Sequence, residues 1–92
     1  MMSEKYEEIF KKAIDTWGTH AQLLMMLEEM SELQKEILKN INRGKNNIPE
    51  IIDETADVEI MLEQLKYIYG IHQAVADHIP EKIEKIKARL KD

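Results

Sequence analysis

Residues 19–44 read THAQLLMMLEEMSELQKEILKNINRG, and residues 47–70 read NIPEIIDETADVEIMLEQLKYIYG. In the first stretch Leu23, Met26, Leu27, Met30, Leu33, Ile37 and Ile41 recur at helical spacing and make one long apolar face. Thr19 and Gln22 form an S/T-x-x-Q capping box at its start. In the second stretch Pro49 suits a first helical turn, because its missing N–H would have had no intrahelical partner there. Ile51, Ile52, Val58, Ile60, Leu62, Leu65 and Ile68 supply apolar surface up to Tyr69, and Gly70 is the stop. The six or so residues between the two helices hold Gly44, suited to a left-handed cap, and Asn47, suited to capping the second of them. So short a connection makes the helices antiparallel neighbours.

Helical spacing continues outward in both directions. Ser3 is a good N-cap, and Glu4, Glu7 and Glu8 suit the positive end of a helix dipole. Tyr6, Ile9, Phe10, Ala13, Ile14 and Trp17 share a stripe that Gly18 ends. Beyond Gly70 the sequence predicts a short segment over Ile71–Ile79. A last helix then opens at Pro80, with Asp77 or His78 near its cap, and carries Ile79, Ile83, Ile86 and Leu90 as a narrow seam. No period-2 run and no internal repeat is present. The expected fold is all-α: an antiparallel bundle of about four helices in a single domain, residues 1–92.

Composition narrows the function classes. The 92 residues are 43% apolar and 34% charged, too apolar for a disordered tail and too charged for a membrane protein. No apolar run reaches the roughly 18 residues a membrane span needs. The start Met-Met-Ser-Glu-Lys lacks the basic-then-apolar pattern of a secretory signal, so the cytoplasm is the expected location. The absence of cysteine excludes disulfides, thiolate metal sites and cysteine nucleophiles. A net charge of −5 speaks against nucleic acid as a partner. That charge is uneven: Glu28 to Glu63 holds ten acids against four bases, whereas Glu81 to Asp92 holds five bases against three acids.

The acids carry the chemistry. Glu28, Glu29 and Glu32 lie on the second helix; Glu50, Asp53, Glu54 and Asp57 lie on the third. Glu29/Glu32 and Glu54/Asp57 are spaced i, i+3, so each pair shares a face, a placement that costs a helix a few tenths of a kcal/mol by like-charge repulsion. Counted from the loop, the two pairs stand within about one turn, or ~5 Å, of the same height. Anions gathered at the edge of an apolar core call for a cation, and all-oxygen ligation suits Mg²⁺ or Mn²⁺. Solvated acids on a helix face are the plainer alternative. The Glu-x-x-His motif of di-iron bundles is missing from His20, His72 and His78.

Trp17-Gly18 with Gln22, Leu27-Glu28-Glu29-Met30-Ser31-Glu32-Leu33, the basic Arg43-Gly44-Lys45 loop and Asp53-Glu54-Thr55-Ala56-Asp57-Val58-Glu59-Ile60-Met61 together resemble the MazG-like nucleoside triphosphate pyrophosphohydrolases. That family's pattern is E-x-x-E, a spacer, then E-x-x-D. The spacer between Glu32 and Glu54 is 21 residues, and the likeness runs from about Trp17 to Gly70. The resemblance implies Mg²⁺ held by Glu29, Glu32, Glu54 and Asp57, and hydrolysis of a nucleoside triphosphate between its α and β phosphates. It also implies a homodimer or homotetramer with sites near subunit contacts. Under that reading the metal polarises the α-phosphoryl group and acidifies a water, and Glu28, or a ligand not fully engaged, takes the proton.

Other residues carry two readings each. Arg43 and Lys45, with Lys39, could contact phosphates or be ordinary loop and helix-end charge. Gln22 could meet the base or sugar, or serve its capping box. Trp17 could stack on a base or fill the core. Met25, Met26, Met30 and Met61 read as adaptable core filler. Lys82, Lys85 and Arg89 could reach a neighbouring subunit's site or form a solvated face. The alternative to an enzyme is a helical module of the same fold that holds a nucleotide, metal or protein partner without catalysis.

Overall fold

The computed structural model describes residues 2–91, with side chains from residue 4 onward. Four helices succeed one another: α1 (Met2–Trp17), α2 (Thr19–Arg43), α3 (Ile48–Tyr69) and α4 (His72–Leu90). The described residues contain no strand. No helix among them is long and apolar enough to cross a membrane. The Ser3 side chain, expected to cap α1, lies outside the described residues.

Three glycines punctuate the chain as expected. Gly44 and Gly70 are left-handed caps, with φ 58° and 64°. Gly70 and Ile71 return their N–H groups to the carbonyls of Tyr67 and Lys66, which satisfies the orphan acceptors at the end of α3. Gly18 (φ 92°) is both the end of α1 and the N-cap of α2. Thr19 is therefore already helical and makes no capping hydrogen bond, so the expected capping box does not form.

α2 and α3 pack antiparallel as the main pair, and α1 packs against both. The buried apolar core is small: Phe10, Met26, Val58 and Met61. On α2 the buried seam runs Gln22, Met26, Glu29, Leu33, Glu36 and Asn40, at alternating steps of four and three residues. This corrects the apolar face expected there: Leu27, Ile37 and Ile41 are exposed. The helix is rotated because polar groups on the seam find partners across it. Gln22 Nε2 donates to Gln64 Oε1 at 2.6 Å. Asn47, 1% exposed, donates to the Glu36 carbonyl at 2.8 Å and to Glu36 Oε1 at 3.0 Å, and accepts from Asn40 Nδ2 at 3.2 Å. Asn47 thus fastens the loop to α2 instead of capping α3 with its side chain.

α4 departs from expectation. It is one helix from His72, with Pro80 inside it and not at its start. The Ala76 carbonyl, which loses its N–H partner to the proline ring, lies on an exposed turn where water can serve it. An elbow holds the first turn of α4: buried Glu63 takes Lys66 at 3.0 Å and His72 at 3.2 Å, and the His72 ring meets Tyr67 edge-on at 4.3 Å. From Ile79 onward every described side chain is exposed. The radius of gyration, 16.0 Å, exceeds the about 12 Å of a compact domain of this length because this helix stands away from the rest.

Candidate metal centre

The α2–α3 seam carries the acids into register. Gln22 precedes Glu29 by seven residues and Gln64 comes seven residues after Asp57, so the amide pair and the carboxylates are successive layers of one antiparallel seam, about 10 Å apart. Glu29, Glu54 and Asp57, all half-buried, each place one carboxylate oxygen within 4.8 Å of the others.

Their electrostatics stem from that crowding. Partial burial first, then hydrogen bonding to Asp57 and the Asp57 and Glu54 charges, push the Glu29 carboxyl up to about 7. Glu54 is raised as well, first by burial and then by the charges of Asp57, Asp53 and Glu32; the hydrogen bond from Glu29 works in the opposite direction. Burial and the neighbouring charges thus favour the neutral form of Glu29. Even so, Glu54 Oε2 is buried without a hydrogen-bond partner. An orphaned acceptor beside two further carboxylates fits a hard divalent cation, and Glu29, Glu54 and Asp57 are the residues that would hold it.

Glu32 does not join this cluster. It is exposed, three residues past Glu29 and therefore about 60° round the helix from the seam, and it acts on Glu54 through charge. Glu28 is also exposed. It lines, with Leu24, Leu27, Glu29, Ser31 and Glu32, an open depression of about 450 Å³ on α2.

The other expected site residues stand apart in the single chain. Gln22 is buried, and its side-chain amide donates to Gln64. Trp17 ends α1 with its ring exposed, not in the core. Arg43 and Lys45 are exposed near the loop, fourteen or more residues from Glu29, which is about 21 Å along α2. Lys39 is held by Glu36 at 3.2 Å. Lys82, Lys85 and Arg89 lie on the free part of α4. Of the methionines, Met26 and Met61 are core, while Met25 and Met30 are exposed. His20 is exposed; His72 and His78 pair with Glu63 and Glu81.

Two features of the seam are not among the expected site residues. Gln64 is legible in the sequence only as a glutamine placed seven residues outside the second motif, mirroring Gln22. Asn47 reads as a cap, although its position before Ile48-Pro49 also suits a loop anchor. Compared with known protein families, curated proteins and solved structures, the chain matches none.

Proposed function

We propose that this chain is a Mg²⁺-dependent nucleoside triphosphate pyrophosphohydrolase of MazG-like type, acting as a homo-oligomer and releasing a nucleoside monophosphate and pyrophosphate. One observation carries the reading: carboxylates of the two motifs, Glu29 from the first and Glu54 and Asp57 from the second, meet within 4.8 Å, with a buried oxygen of Glu54 left unpartnered. A bound Mg²⁺ or Mn²⁺ would neutralise these acids, accept triphosphate oxygens and polarise the α-phosphoryl group. Glu29, Glu54 and Asp57 hold the ion. Glu32, exposed one turn along α2, completes the acidic rim. Glu28, solvent-facing beside Glu29, is free to take a proton from an attacking water.

Oligomerisation is supported by the apolar surface one chain leaves uncovered, including Leu24, Leu27, Leu38 and Ile41 on α2 and Ile79, Ile83, Ile86 and Leu90 on α4. The distance of Arg43 and Lys45 from the carboxylates favours a second reading for the isolated chain: a module that holds metal or metal–nucleotide without cleaving it. Assaying Mg²⁺-dependent pyrophosphate and monophosphate release across ribo- and deoxyribonucleoside triphosphates separates the two. The hydrolase reading fails if no triphosphate is cleaved although Mg²⁺ raises the melting temperature.

A further inference from the structure

α2 carries a second seam on the side away from α3: Leu24, Leu27, Ser31, Gln34, Leu38 and Ile41, at steps of three and four residues. All six are exposed, and nothing else among the described residues lies over them. The seam is a palindrome. Reversed end to end, Leu24 meets the place of Ile41, Leu27 that of Leu38, and Ser31 that of Gln34.

Charge obeys the same symmetry. The amino-terminal half of this face is the acidic depression that includes Glu28 and Glu32. The carboxy-terminal half is a second depression that includes Lys35, Lys39 and Arg43. Residues of α2 alone line both, and Ser31 belongs to both. A two-fold axis beside Ser31 lays the basic half of one copy on the acidic half of the other, which is the self-complementarity an isologous contact demands. In that register Glu28 faces Lys35 of the partner subunit on one flank. Met30, partly exposed, faces the partner's Ile37 on the other.

We infer that the outer face of α2 is a homodimer interface in which two α2 helices pack antiparallel about Ser31, setting Lys35 of the partner subunit beside Glu28 on the acidic rim and the partner's Lys39 and the partner's Arg43 further toward the amino end of α2. This extends the proposed hydrolase, on which its functional part rests: the partner's Lys35 adds a cation beside the Glu28–Glu32 rim, where a bound polyphosphate needs one. The Ile79–Leu90 seam of α4 lacks this symmetry, since bases outnumber acids along its length.

The experiment reads mass, by sedimentation and light scattering, without metal or nucleotide, so its outcome is independent of whether the hydrolase reading holds. The wild-type chain is expected to be a dimer. Glu28→Lys and Lys35→Glu should each weaken it about tenfold by setting like charges opposite each other at two symmetric places, and the double variant should recover most of the loss. The chain has no cysteine. Oxidising a mixture of Ser31→Cys and Gln34→Cys chains should therefore link the two variants to each other. A monomeric wild type, a double variant as weak as the sum of the singles, or a dimer lost through Ile83→Glu but not through Leu27→Glu with Leu38→Glu, would overturn the inference.

Discussion

Gln22 on α2 donates its side-chain amide to Gln64 on α3 at 2.6 Å, and both residues are buried. The pair lies two turns from Glu29 and Asp57 along the same seam, so the hydrogen bond that sets how the helices slide past each other also sets which carboxylates meet. A buried polar layer between two helices costs stability and specifies register.

Removing one partner should therefore do more harm than removing both. Gln22→Ala leaves a buried Gln64 amide unsatisfied and is expected to cost about 1–3 kcal/mol in urea unfolding. Gln22→Leu with Gln64→Leu should be close to wild type in stability, yet should show a smaller rise in melting temperature with Mg²⁺, because the carboxylates are held less firmly. An undiminished Mg²⁺ response in the double variant would show that the pair has no part in aligning the site.

Glu29→Gln and Asp57→Asn each remove one charge from the cluster. Pyrophosphate release should fall by about 100-fold or more, in line with losses seen when metal-site or transition-state contacts are removed. In chelator at pH 8, above the raised Glu29 value, the same variants should melt higher than wild type, since the repulsion is relieved. The assignment requires both results together with an unchanged helical signal by circular dichroism.

The pH dependence has a definite sign. Glu29 has its carboxyl raised from about 4.5 to about 7 in the folded chain. Between these values the folded state binds more protons than the unfolded one, so metal-free stability falls as pH rises through that window. Thermal melts in chelator should show a higher melting temperature at pH 5 than at pH 8. Mg²⁺ should abolish or reverse that trend, because its binding displaces the proton, and its affinity should increase from pH 6 to 8.

Asn47→Ala deletes the side chain that ties the α2–α3 loop to Glu36 and Asn40, with an expected loss of about 2–3 kcal/mol. Asn47 is the first cause that holds the Glu36 carboxyl below its usual range, ahead of Lys39. That contribution is present above the unfolded-state value and fades as pH falls through the folded one. The gap between wild type and variant should accordingly be widest near neutrality and narrow below about pH 4.

Helical class, the breaks at Gly18, Gly44 and Gly70, the place of Pro49 and the order of the two acidic motifs were all determined by local chemistry, and the chain alone carries it. Left-handed caps need glycine, a first turn tolerates proline, and 3.6-residue spacing is written in the side chains. Which side of α2 turns inward was decided only by the tertiary structure. Apolar residues occur nearly all round that helix, so periodicity left its orientation open, and the polar residues with partners on α3 and in the loop settled it: Gln22 with Gln64, and Glu36 and Asn40 with Asn47. The same rotation brought Glu29 into the cluster and left Glu32 in water. It also left Leu27 outside. Pro80 reads locally as a helix start, but it lies within α4, because on an exposed helix water can take the carbonyl that proline orphans.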